Sequence, residues 1–334
     1  MLPAPPFSKD VFTREGELPP SVASLLPAST TIDYILVRPT DDIYRYLLKD
    51  LSVERLNKIH QYLWLAGMPT PPKPLNFQVA TRELIVDERI NMHMVWNVAN
   101  RLHLKPLPRY LLDTDFWQSH LICSCSSCNI GQTKQERICT QELYKYSMGF
   151  LRSYVGLIQF ESDLAIAHSH RLLPREITWS KWLAFVEQLL RNGISDPANF
   201  NSRYIFGELR LSRLNQILVF RYGQVLHGYQ FTYQTYGELF RAHLTPLTAA
   251  IVYIALVLTA MQVGLATNRL SRSLSFQNSS YGFTVFSILA PLIGVVLVGV
   301  FGLFHFAAAL IKSWRFQKSR LGHLENSMTG HHLP

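Results

Sequence analysis

Charge is missing from two long stretches of this sequence. No Asp, Glu, Lys or Arg falls between Ala242 and Asn268, and none between Ser273 and Ile311. Soluble helices seldom run about 20 residues without a charge, so both stretches read as membrane-spanning helices. A spanning helix satisfies every backbone amide within itself, which lipid cannot do for it. The first is centred on Ala249 to Ala266 and the second on Phe283 to Leu310. Aromatic residues from Tyr222 to Phe240 crowd the approach to the first, where an interfacial belt belongs.

Cysteine is scarce too. The only four, Cys123, Cys125, Cys128 and Cys139, fall within 17 residues of a polar insert. Four thiolates can hold a tetrahedral zinc, and Cys125 to Cys128 has knuckle spacing. Cys123 and Cys139 do not make a second knuckle. Redox-sensitive thiols in a polar loop and palmitoylation beside a membrane stand as the other readings. No other cofactor is implied.

Recognisable catalytic motifs are absent. There is no Gly-x-Ser-x-Gly elbow, Walker loop, Gly-x-Gly-x-x-Gly turn or His-Glu-x-x-His pair. Glu161 and His168, like Asp163 and His170, stand seven apart. On one helix each pair shares a side but lies about 10 Å apart along the axis. Capping and salt bridging explain them. The sequence therefore points to a protein without a catalytic role.

The formal net charge is +9, and the excess gathers beside the apolar runs. Lys312, Arg315, Lys318 and Arg320 follow the second run, and Arg269 and Arg272 separate the two. No dense basic stripe lies elsewhere, which argues against nucleic-acid binding. The start, with three prolines in ten residues, lacks a secretory signal. The long N-terminal part is expected to stay in the cytosol, and a hairpin returns the C-terminus to the same side. The basic tail agrees with this topology. The sequon at Asn278-Ser279-Ser280 lies in the loop. Arg210, Arg213 and Arg221 suit contact with anionic headgroups, and internal ion pairing, as of Glu208 with Arg213, is the other reading.

The expected fold is mainly α: a helical cytosolic domain followed by a C-terminal two-helix transmembrane hairpin. Residues 1–30 form a disordered, Pro-rich leader. Residues 31–240 form the domain, with the cysteine insert at 119–140. Spans cover 244–267 and 283–311, joined by a polar loop at 268–282 and followed by a basic tail at 312–334. Within the domain, Thr81 to Leu102 is expected to be helical. Gln141 to His168 is expected to be one long helix with a seam of Leu143, Phe150, Leu157 and Leu164. Gly149 and Gly156 mark close approaches. Thr178 caps a further helix that Asn192 and Gly193 close. The two spans are expected to meet through small residues, Ala260 and Gly264 on one and Ala290 and Gly294 on the other.

Four runs carry a family resemblance. They are Leu104-Lys105-Pro106-Leu107-Pro108-Arg109-Tyr110-Leu111-Leu112, Glu161-Ser162-Asp163, Leu172-Leu173-Pro174, and Gly207-Glu208-Leu209-Arg210-Leu211-Ser212-Arg213-Leu214-Asn215. Over residues 75 to 312 the chain resembles a family of fungal membrane proteins of unknown function. Some of these are labelled subtilisin-like proteases. The Gly-Thr-Ser turn and the His-Gly-Thr-His stretch of such enzymes are missing here. The resemblance implies a membrane location and no activity.

The leading expectation is a membrane-anchored protein that binds a protein partner or organises the bilayer, alone or as a homo-oligomer. A CorA-like two-span channel has the same layout. Its Gly-Met-Asn signature is replaced here by Gly264-Leu265-Ala266-Thr267-Asn268. A membrane-bound enzyme without a known motif is the third reading.

Overall fold

The computed structural model describes residues 4–8, 11–12, 21–123, 140–222, 229 and 236–329. They fall into two units, residues 4–222 with Tyr229 and residues 236–329. The first unit runs α1 (Val22–Leu25), β1 (Thr30–Ile32), β2 (Ile35–Val37), α2 (Ile43–Leu51), α3 (Glu54–Asn57), α4 (Leu63–Ala66) and α5 (Leu75–Thr81). Strands β3 (Glu83–Val86), β4 (Val95–Trp96) and β5 (Arg101–Leu104) follow. Then come α6 (Thr114–Phe116), α7 (Gln141–Leu157), α8 (Glu161–Ser169), α9 (Trp179–Arg191), β6 (Leu209–Arg210) and α10 (Leu211–Tyr222). The second unit is α11 (Tyr236–Leu265) and α12 (Leu274–Thr329).

Helix dominates, but the first unit also holds two small sheets. One is the β1–β2 hairpin, turned by Asp33 and Tyr34 with φ of 49° and 67°. The other has the order β3-β5-β4-β6, with β3 parallel to β5, β4 antiparallel to β5, and β6 parallel to β4. The helix expected over Thr81 to Leu102 is thus a strand, a 3-10 turn and a hairpin. Ile90 and Met94 have helical spacing and both are buried, yet Met94 sits at φ 62° and breaks any helix through it. The Asn97 side chain then accepts the amides of Ala99 and Arg101 and closes the turn into β5.

The expected long helix breaks between α7 and α8. The Asp163 carboxylate, fully buried, accepts the amides of Gln159 and Phe160, and that of Asn76 from α5. Capping at that point starts a new helix. The seam survives the break, because Leu143, Phe150, Leu157 and Leu164 are all buried. Both glycines on α7 mark close contacts. A Cβ on Gly149 would overlap the Tyr204 ring, and one on Gly156 would lie 2.8 Å from Pro72. Helix α9 starts on the Thr178 cap and ends at Gly193, φ 77°.

Of the expected leader, residues 4–8, 11–12 and 21–30 are described, and these include residues that pack into the first unit. Phe7, Val11 and Leu26 are buried in the main core. The Phe7 ring meets Trp117 and Phe185 edge-on, with centroids 6.3 and 4.9 Å away. Prolines set the path, but the aromatic residues between them supply enough apolar area to anchor it.

In the second unit α11 and α12 pack on one another. Each is long and apolar enough to cross a membrane, over Thr248–Leu265 and Leu274–Val300, and apart from the face each turns to the other both stretches are mostly exposed. The 268–282 loop is shorter than expected. Helix α12 begins at Leu274, where the Ser273 hydroxyl accepts the Phe276 amide, and it continues without a break through the expected tail to Thr329. The inward face of α11 runs through Val257, Met261 and Gly264, three or four apart. Gly264 is buried, with the Phe276 ring 2.9 Å from where its Cβ would be, and Ala290 and Gly294 are half-buried. Ala260 is exposed, one step off that face, which corrects its expected place at the contact.

Candidate functional site

A cavity of about 970 Å³ opens in the first unit, a volume suited to a small ligand. One wall comes from the leader, Ser24 to Thr30, and another from Glu88 to Met92. The third is the Lys105-to-Tyr110 run, whose two prolines hold it extended after β5. Lys105, 1% exposed, sits at its inner end.

Lys105 is enclosed by acceptors. Its Nζ donates to Asp50 Oδ1 at 2.8 Å and to the Glu88 carbonyl at 2.8 Å, with Glu88 Oε2 3.5 Å away. Asp50, at the end of α2, accepts the Tyr110 hydroxyl on its other oxygen at 2.6 Å. Tyr46, one turn before Asp50, also reaches that carboxylate. Burial, followed by the Asp50 charge, pushes both tyrosine hydroxyls up, so they remain protonated donors. Two hydrogen bonds and a nearby carboxylate occupy the ammonium, which describes a buried tie between α2 and the β5 end better than a nucleophile.

The backbone of Lys105 is held as firmly. Its amide donates to His93 Nδ1 at 3.2 Å, and its carbonyl accepts the Tyr154 hydroxyl at 2.5 Å. His93 then carries its proton on Nε2, which donates to Ser153 Oγ at 2.7 Å, and Ser153 donates to the Phe150 carbonyl. Burial, with the Arg203 and Lys105 charges, pushes the His93 pKa well below its ordinary value. Arg203, itself buried, is held by the carbonyls of Phe206 and His93. Beside the wall from Glu88 to Met92, at Asp87, burial works to raise the carboxyl. Hydrogen bonds from His103 and Arg89 outweigh it and hold that group far below the usual carboxylate range.

The residues singled out from the sequence are dispersed. Glu208 pairs with Arg82 at 2.6 Å and accepts Gln78, so its partner is α5's neighbour and not Arg213. Arg210 lies over the Trp96 ring at 4.9 Å, and Arg82 over the same ring at 4.7 Å. Arg213 donates to the Leu65 carbonyl, and Arg221 lies 5.9 Å from the Tyr62 ring. The side chains of Lys312, Arg315, Lys318 and Arg320 lie outside the described residues. So do Cys125, Cys128 and Cys139. Cys123 is disulfide-bonded, and a disulfide sulfur is no thiolate ligand for zinc. Among the described residues no three His, Cys, Asp or Glu side chains are placed to hold a metal ion.

The four runs with a family resemblance meet in this unit. Lys105 and Tyr110 bind Asp50, the Leu107 amide donates to the Leu172 carbonyl, Asp163 caps α8, and Gly207 to Arg210 lay β6 beside β4. A model described as a family of unknown function, DUF6601, matches residues 43–291. The chain belongs to this family. The match takes in the Asp50–Lys105 tie, the four-stranded sheet and all of α11. No curated protein and no solved structure matches. The tie itself was missed in the sequence. Its Lys-Pro-Leu-Pro-Arg-Tyr half stood out, but nothing near Asp50 marked that residue as the counterion 55 positions away.

Proposed function

We propose that this protein is a membrane-anchored, non-catalytic member of its family. Helices α11 and α12 hold it in the bilayer, and the first unit binds a protein partner or organises the membrane beside it. One observation carries the reading: most residues of the apolar stretches Thr248–Leu265 and Leu274–Val300 are exposed. Leu256, Leu292, Val296 and Leu297 are each more than half exposed. Covering such a side chain is worth about 1.5–3 kcal/mol, so water is a poor solvent for these helices and lipid a good one. The resemblance to fungal membrane proteins points the same way.

The spans offer little to a pore, which weighs against a channel. The hydroxyls of Thr259, Thr284 and Ser287 donate to carbonyls of their own helix four residues back. Alkaline carbonate extraction of membranes from expressing cells tests the anchor. We expect the protein in the pellet, and release with peripheral proteins would sink the proposal.

Two spans put both termini on one side, and the basic residues beyond Ile311 favour the cytosol. The disulfide at Cys123 supports a second reading with the first unit in an oxidising lumen. Protease added to sealed microsomes decides between them. Loss of the first unit supports the cytosolic orientation, and its protection supports the lumenal one.

A further inference from the structure

On the first unit, α4 and the end of α10 enclose a shallow groove of about 640 Å³. Trp64, 64% exposed, and Phe220, 87% exposed, stand on it. Neither belongs to the core beneath. Leu63 and Ala66 carry the inward face of α4, and Leu214, Ile217 and Leu218 that of α10. Two large aromatic side chains are thus left in water by helices that already have their buried faces. Leu65 extends the apolar surface.

The groove's charge has one sign. Arg213 and Arg221 line it, and no Asp or Glu does. Arg213 holds the Leu65 carbonyl and Arg221 lies near the Tyr62 ring, so neither is ion-paired among the described residues. Aromatic side chains with arginines beside them and no acid between are the chemistry of a headgroup layer.

We propose that this groove seats on the surface of an anionic bilayer. Trp64 and Phe220 enter the boundary between headgroups and acyl chains, and Arg213 and Arg221 pair with lipid phosphates. The proposal rests on the membrane-anchored reading above. The chain itself favours lipid over other occupants. Tyr222, the last residue of α10, lies 14 positions before Tyr236, the first of α11. That length reaches at most about 50 Å, so an inserted α11 keeps the groove within range of the bilayer. Arg210, expected to share this role, is committed to Trp96 and takes no part.

Full-chain protein reconstituted in phosphatidylcholine vesicles, with and without phosphatidylglycerol, provides the test. Lipids brominated near the headgroup end of the acyl chain quench tryptophans at that depth. The wild type is compared with Trp64→Phe, so that the other five tryptophans cancel. We expect a Trp64 component quenched in the anionic vesicles. The Arg213→Gln/Arg221→Gln double variant should weaken that component several-fold. Because Phe220 is outside the core, Phe220→Ser should lower the quenching while leaving thermal stability unchanged. Stable insertion with Trp64 unquenched would overturn the groove proposal and leave the anchor standing. So would a Phe220→Cys variant that cross-links to a second copy in place of meeting lipid. Failure to insert at all would overturn both.

Discussion

Lys105 is 1% exposed, and its position is tenable only because Asp50 and the Glu88 carbonyl accept from its Nζ. Replacing it by Met strands Asp50 between two tyrosine hydroxyls with no cation. Breaking such a buried pair costs about 3–5 kcal/mol. We expect Lys105→Met to lower the denaturation free energy by that order, measured in urea, and Lys105→Met/Asp50→Leu to recover part of it. A single-variant loss below about 1 kcal/mol would refute the tie. His93 predicts a pH dependence. Its folded pKa lies below the ordinary 6.5, so the unfolded chain takes up a proton that the folded chain refuses. Stability from this group is complete above about pH 6.5 and falls as pH drops below it, by up to about 1.4 kcal/mol per pH unit. His93→Asn keeps an acceptor for the Lys105 amide and should flatten melting temperature against pH between 7 and 5. An unchanged profile would show that His93 titrates normally in the fold.

At the scale of elements the leader makes the clearest prediction. Phe7 is buried against Trp117 and Phe185, although it precedes every regular element. Phe7→Ala should cost about 3 kcal/mol, in the range of other buried aromatic truncations, and calorimetry of the detergent-solubilised protein would register it. A leader that contributed nothing would leave the transition in place. Elements whose signals are local were legible in the sequence. The α7 seam, the Thr178 cap and the α9 stop at Gly193 each lie within one turn of what they control. The four-stranded sheet was not, because β4 and β6 are two residues each and β6 exists only by pairing with β4 across more than 100 positions. The break at Asp163 was half legible. The residue was read as a cap, but a buried carboxylate that also takes an amide from α5 needs the fold to place it. The packing of Phe7 was not legible, because proline content was weighed above the few aromatic residues beside it.

At the scale of the whole molecule, the family match begins with α2 and stops at Pro291 inside α12. It thus spans parts of both units and leaves the Phe7 anchor outside. The site was the least legible part, since Asp50, Lys105 and Tyr110 come together only through the path of the intervening sheet. The length of α12 has a mechanical consequence. Its uncharged stretch runs to Ile311, and the helix then continues for a further 18 residues to Thr329, about 27 Å. On the membrane-anchored reading proposed above, lipid grips the first part and the second is a stiff lever. A tilt of about 20°, ordinary for a spanning helix, swings its far end sideways by about 9 Å. A binding partner near Thr329 would therefore feel bilayer thickness, which sets tilt, as displacement.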